Sequence, residues 1–164
     1  MEKKYFPIFI DISDKKIVVV GGGNIATRRV STLLHFTKQI IVVAPEITSE
    51  MRKLVDEEQV KWVCSEYRQE QILDAHIVIA ATNQPQINHQ VRNDCKYVEK
   101  TSGHSILVSV ADDKELCDFY FPGIVKNDEI VIGISSSGKS PAKVKALRRR
   151  MENLFKRNDF DKEL

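Results

Sequence analysis

The chain reads as an α/β protein: a Rossmann-type doubly wound parallel sheet, then a small β-rich segment and a C-terminal helix. Three observations predict this. Short runs rich in β-branched residues alternate with helical periodicities through the first two thirds of the chain. Several of those runs are apolar at almost every position, as in strands of a parallel sheet covered on both faces. A glycine cluster, Gly21-Gly22-Gly23, stands at the first strand-to-helix junction, where a doubly wound sheet binds its ligand.

Each element has its own signal. Lys16–Val20 is the first strand, and Ile25, Ala26, Val30, Leu33 and Leu34 then fall on roughly one face of a helix. Gln39–Ala44 (QIIVVA) is the second strand, stopped by Pro45. Thr48 or Ser49 caps a helix carrying Met51, Leu54 and Val55, and Val60–Cys64 is the third strand. An amphipathic turn around Gln69–Leu73 leads into a fourth strand, Ala75–Ala81 (AHIVIAA). Asn83 is placed to cap a helix over Pro85–Cys95, and Ile106–Val110 is the fifth strand. After Asp112 the pattern changes. Phe119–Val125 and Glu129–Ile134 are strand-like runs separated by the hairpin signal Lys126-Asn127-Asp128. A last helix starts at Pro141 or just after it, with Val144, Leu147, Met151, Leu154 and Phe155 on one face. The residues after Arg157 are polar and expected to fray. The expected division is a parallel-sheet domain over 1–113 and a smaller segment with a short helix over 114–164.

Composition excludes several classes. The chain has 164 residues, 42% apolar and 29% charged, which is ordinary globular composition and not that of a disordered segment. No apolar run reaches the roughly 18–20 residues of a membrane span, and no signal-peptide core follows the charged N-terminus. Cys64, Cys95 and Cys117 are odd in number and form no CxxC pair, so a reducing cytoplasm is the expected compartment. The formal net charge is +2; neither a nucleic-acid nor a membrane partner is expected. Charge is nonetheless uneven. Between Lys139 and Arg150 there are six basic residues and no acid, either a solvated helix face or a patch that meets phosphates or carboxylates.

The glycines carry a mechanism. Gly21-Gly22-Gly23-Asn24-Ile25-Ala26 fits G-x-G-x-x-A at a strand-to-helix junction. In that pattern Gly21 permits the tight turn, Gly23 lets a pyrophosphate approach the backbone, and small Ala26 lets helix and strand pack closely. The helix N-terminus adds N–H donors and a positive dipole end for the phosphates. The second strand, which should end in an acid to hold the adenine ribose, ends Val42-Val43-Ala44-Pro45. Either Glu46, just past the proline, takes that role or backbone groups do. No Arg or Lys follows closely to meet a 2′-phosphate, which favours NAD over NADP. Thr82 and Asn83 follow the fourth strand at the same edge; they either contact the nicotinamide-side ribose or cap the next helix. Asp112 and Asp113 end the fifth strand. They are either turn formers or a carboxylate pair supplying a general base beside the cofactor.

Taken in order, FPIFIDISDKKIVVVGGGNIATRR, VVAPE, IAATNQPQIN, VSVADDKELCDFYFPGIV and IVIGISSSGKSP resemble the siroheme-synthase dehydrogenase family over about Phe6 to Arg150. That resemblance implies NAD-dependent oxidation of precorrin-2 to sirohydrochlorin by a homodimer, with 1–113 the NAD-binding domain and 114–164 the dimerisation segment. It assigns the catalytic aspartate to Asp112 and NAD contacts to Asn24, Ile25, Pro45 and Glu46. It places a serine matching Ser136 beside the tetrapyrrole, one that is phosphorylated in some relatives. Ser136, Gly138, Lys139 and Ser140 are thus the candidate substrate residues. The substrate's eight carboxylates would meet the positive charge of the helix that follows them.

The chain departs from the family in two places. The stretch from Asn88 to Asp112 is longer than expected, with Lys100–Ser105 the expected extra loop, and the chain ends at Leu164, short of most of the family's helical region. Bifunctional relatives also insert Fe2+ in the same pocket. Here His35, His76, His89 and His104 show no metal-ligand spacing, so no metal site is expected. The alternatives to the dehydrogenase are that bifunctional chelatase and a non-catalytic NAD-sensing module; a sensor would have no need of Asp112 or of SSSGKSP.

Overall fold

The computed structural model describes residues 5–156; the polar tail after Arg157 lies outside them. The chain divides into two units, one spanning Phe6–Phe119 and the other running from Tyr120 onward and including Tyr5.

In the larger unit five strands form one parallel sheet: β1 (Ile17–Val20), β2 (Ile40–Val43), β3 (Lys61–Val63), β4 (Ile77–Ala80) and β5 (Leu107–Val110). Their order is β3-β2-β1-β4-β5, so the chain crosses from one side of β1 to the other between β3 and β4. That reversal opens a crevice at the carboxyl ends of β1 and β4. Helices α1 (Asn24–Leu33), α2 (Ser49–Asp56) and α3 (Pro85–Ser102) connect the strands, and a 3-10 turn at Gln69–Ile72 precedes β4.

The apolar runs are explained by two covered faces. Val18, Val20, Val78, Ala80, Val108 and Val110 form one core cluster with Val91, Cys95 and Val98 of α3 and with Ile72. Alternation along each strand sends Ile17, Val19, Val42 and Ile79 to the other face, where they too are almost fully buried, as are Ala26 and Val30 of α1 and Met51 of α2. Each buried valine or isoleucine contributes roughly 1.5–3 kcal/mol.

Several elements differ from the sequence reading. The strands are shorter than the apolar runs. Ile25, read on one face of α1 with Ala26 and Val30, is 47% exposed, because it stands in the first turn beyond the end of β1. Of the two candidate caps of α2, Thr48 serves: its Oγ1 accepts from Met51 N–H at 3.1 Å. Asn83 caps nothing; Gln84 is the N-cap of α3, without a side-chain cap. That helix runs past Cys95 to Ser102 and stops at Gly103, which takes a left-handed φ of 70°. Residues 100–102 of the expected loop are therefore its last turn, and Val98, packed in the core, shows why the helix continues.

Asp118 and Cys117 tie the segment after β5 to the same unit. Asp118 accepts Val108 N–H at 2.9 Å and holds Arg92 of α3 through two 2.7 Å bonds. Buried Cys117 accepts from Val110 N–H at 3.1 Å.

The smaller unit holds an antiparallel hairpin, β6 (Gly123–Asn127) and β7 (Ile130–Ile134), and helix α4 (Pro141–Lys156). Strand β6 begins after Pro122, later than the strand-like run, since proline has no N–H for a ladder. Asp128 takes a φ of 45° in the turn, which Asp tolerates better than most residues. No described side chain of α4 is fully buried, and Leu147 is 45% exposed.

Candidate active site

The site is built where β1, β2, β4 and β5 end. Gly21 has a φ of +120°, and a Cβ there would stand 2.4 Å from the carbonyl oxygen of Ala81 and 2.9 Å from Thr82 N. Only glycine lets the turn after β1 lie against the end of β4. Gly22 is tighter still: a Cβ would meet the carbonyl oxygen of Glu46 at 2.1 Å. Gly23 has nothing within 4 Å of where its Cβ would be. Its backbone is exposed, and it is followed by the exposed Asn24 and Ile25 of the first turn of α1. The glycines thus divide into two that pack and one that faces open space, which is what a dinucleotide cradle requires.

The β2–α2 loop is seated on this turn. Thr48 N–H donates to the carbonyl of Gly22 at 3.0 Å, and the hydroxyls of Thr48 and Thr27 lie 2.8 Å apart. From β3, the indole N–H of Trp62 donates to the carbonyl of Ala44 at 2.9 Å. Exposed Pro45 and Glu46 are held between these anchors, beside the glycine turn.

Past β4, Thr82 N–H donates to Oδ1 of Asn88 at 3.0 Å, and the Thr82 hydroxyl is 2.8 Å from the same oxygen. The Nδ2 of Asn88 donates to the carbonyl of Thr82 at 3.2 Å and to Oδ1 of Asp112 at 2.9 Å. Asn88 is fully buried, while Asp112, at the end of β5, is exposed. The two aspartates have different partners. Asp113 turns away, accepting Glu115 N–H at 2.9 Å and lying 3.5 Å from Nε2 of His89.

Sequence reasoning missed Gly22 and Asn88. Gly22 occupies the unrestricted position of G-x-G, and its crowding depends on a loop more than twenty residues away in the chain. Asn88 did carry a signal: it sits three residues before Val91 in the apolar stripe of α3 that continues through Cys95 and Val98. A polar side chain there must find buried partners.

Of the candidate residues, Gly21, Gly23, Asn24, Ile25, Pro45, Glu46, Thr82 and Asp112 stand at the carboxyl edge of the parallel sheet; Asn83 is exposed just after Thr82. Ser136, Gly138, Lys139 and Ser140 belong to the smaller unit, in the turn between β7 and α4. There Ser137 and Gly138 take φ of 52° and 74°. The Ser136 hydroxyl oxygen accepts Ser140 N–H at 2.9 Å, fixing the start of α4. Among the described residues, no group of three or more His, Cys, Asp or Glu side chains is placed to hold a metal ion, and no helix is long and apolar enough to cross a membrane.

A parallel sheet in this order, with a glycine turn opening onto a helix N-terminus at its carboxyl edge, defines a dinucleotide-binding α/β protein. The family model described as putative NAD(P)-binding matches residues 8–123, and the chain belongs to that family. It is 42% identical over 155 residues to the probable multifunctional siroheme biosynthesis protein HemA of Ruminiclostridium josui, covering 94% of this chain and 29% of that protein. It is 35% identical over 151 residues to the siroheme synthase of Mannheimia succiniciproducens, covering 92% of this chain and 30% of the relative. The chain thus spans about 30% of the length of the curated relatives it matches. Among solved structures it is similar to SirC, precorrin-2 dehydrogenase, with a TM-score of 0.74 and 24% identity over 91% of this chain and 70% of that one. The resemblance to siroheme-biosynthesis proteins read from the motifs is borne out, and the last match supports the fold.

Proposed function

We propose that this chain oxidises precorrin-2 to sirohydrochlorin, with NAD+ as the hydride acceptor and Asp112 as the base. The observation that carries this is the exposed carboxylate of Asp112, anchored by a buried amide at the same sheet edge as the open backbone of Gly23. The relatives' names supply the substrate class.

Oxidation of a reduced tetrapyrrole removes a hydride from one ring carbon and a proton from the ring system. NAD+, when bound, accepts the hydride, and the proton needs an oxygen in reach. Oδ1 of Asp112 is engaged by Asn88, so Oδ2 is the atom assigned to take it. Gly21, Gly23 and the N–H groups of Asn24 and Ile25 are assigned to the pyrophosphate, Glu46 with Pro45 to the adenosine ribose, and Thr82 and Asn83 to the nicotinamide side. An acid at Glu46 accepts from a ribose 2′-OH and repels a 2′-phosphate, which selects NAD over NADP. Ser136, Gly138, Lys139 and Ser140 are assigned to substrate carboxylates, and the strands of the segment Phe119–Ile134 to the contact of a homodimer in a reducing cytoplasm.

The test is an anaerobic absorbance assay with precorrin-2. NAD+ should produce the spectrum of the more conjugated product with stoichiometric NADH, and NADP+ should be a much poorer acceptor. No spectral change with either nucleotide, although NAD+ binds, would overturn the reading in favour of a non-catalytic dinucleotide-binding module.

A further inference from the structure

We propose that Asn88 is a positioning residue: it aims the carboxylate of Asp112 and locks the end of β4 to the end of β5. The proposal rests on the oxidation reading above and deepens it by assigning the buried amide beside Asp112 a role of its own.

The argument begins with cost. A fully buried side-chain amide is unfavourable unless its hydrogen-bonding capacity is used, and here it is used by two strand ends. The orientation is also determined. Thr82 N–H can only donate, so the atom facing it must be the amide oxygen. The nitrogen is thereby turned to the Thr82 carbonyl and to Asp112, and a flipped amide would set two donors face to face. Asn88 therefore presents an N–H to Oδ1 of Asp112, holding that oxygen as an acceptor and leaving Oδ2 directed elsewhere. Closing the start of α3 requires only the bonds to Thr82; the fourth bond, to an exposed carboxylate on another strand, is additional. The neighbouring charges do not supply it. Asp113 and His89 face each other, and Asp118 is engaged by Arg92.

The test replaces the donor without changing its shape. Asn88→Asp keeps an oxygen for Thr82 and puts a second oxygen against Asp112. Two carboxyls at that distance share one proton, which leaves only at higher pH. The expected result is a fall in kcat of about tenfold or more near neutral pH. The acid limb of the kcat profile should move up by about one pH unit or more, with KM for NAD+ little changed. A merely structural role would leave the limb in place; a parent-like profile and kcat overturn the proposal.

Two readouts need no turnover. In the folded variant a carboxyl is held protonated above its unfolded value, so its Tm should fall, relative to the parent, as pH rises. Asn88→Asp combined with Asp112→Asn should show a smaller dependence, because an amide then replaces the carboxylate and only burial and the Thr82 carbonyl still oppose ionisation; the same dependence in both overturns the proposal. In the unmutated protein, labelled with 15N, the Asn88 side-chain amide resonances should move as carboxylates titrate and stay still in Asp112→Asn. Resonances that move alike in both also overturn it. If no precorrin-2 is oxidised by any of these proteins, the oxidation reading has failed while the Tm and resonance data still decide the role of Asn88.

Discussion

Gly21 and Gly23 look equivalent in the motif but should fail in different ways when a methyl is added. At Gly21 the φ of +120° costs an alanine about 1–3 kcal/mol. The added Cβ also stands 2.4 Å from the Ala81 carbonyl oxygen, an overpacking against backbone that costs about another 1–3 kcal/mol. The middle of that range is about 4 kcal/mol, or about 12 °C in Tm for a chain of this length. At Gly23 the backbone is extended, with φ −81° and ψ −175°, and nothing lies within 4 Å. Alanine is a poorer N-cap than glycine, costing about 0.5–1 kcal/mol, but it removes a similar amount of unfolded-state entropy. Stability should therefore change by no more than about 0.5 kcal/mol. Its methyl would occupy the space assigned to the pyrophosphate, and the same overpacking of about 1–3 kcal/mol then weakens the nucleotide by roughly fivefold to 150-fold. Thermal unfolding and calorimetric NAD+ titration read the two effects separately. A Gly23→Ala protein of parent stability that binds NAD+ as tightly as the parent would refute this placement of the dinucleotide.

Three further outcomes are expected. With a thiol reagent the native protein should react fast at Cys64, which is exposed, and slowly at buried Cys117 and at Cys95, whose thiol burial pushes up to about 12; all three should react in denaturant. Asp118→Ala removes both bonds to Arg92 and the acceptor of Val108 N–H. It should cost about 1–3 kcal/mol in urea unfolding without changing the slope with denaturant. Glu46→Arg should weaken NAD+ and strengthen NADP+ in parallel titrations, since a guanidinium accommodates a 2′-phosphate where a carboxylate repels it.

Much of the architecture is legible in the sequence because it follows from local chemistry. Valine and isoleucine runs such as Ile77–Ala80, apolar on both faces, β-branched and too short for a buried helix, read as interior parallel strands. The glycine cluster marks its own turn, and Asp112 announces itself as an acid at a strand end. What was not legible depends on contacts between distant segments. The need for glycine at 22 comes from the Glu46 carbonyl, and the length of α3 from Val98 reaching the sheet core. Asn83 looked like a cap from spacing alone, but the Thr82 hydroxyl accepts the N–H of Gln84 at 3.1 Å and Asn88 takes the Thr82 N–H. The end of β4 is thus closed by a residue inside the helix.

The central claim is that Asp112 takes the proton in an NAD-dependent oxidation. Its most direct test is a single-turnover absorbance measurement with precorrin-2 and NAD+ on the parent and Asp112→Ala, with NAD+ affinity measured on both. The account predicts that the variant binds NAD+ within about twofold of the parent and forms no product on the parent's timescale. Product formed by Asp112→Ala at the parent's rate would contradict it.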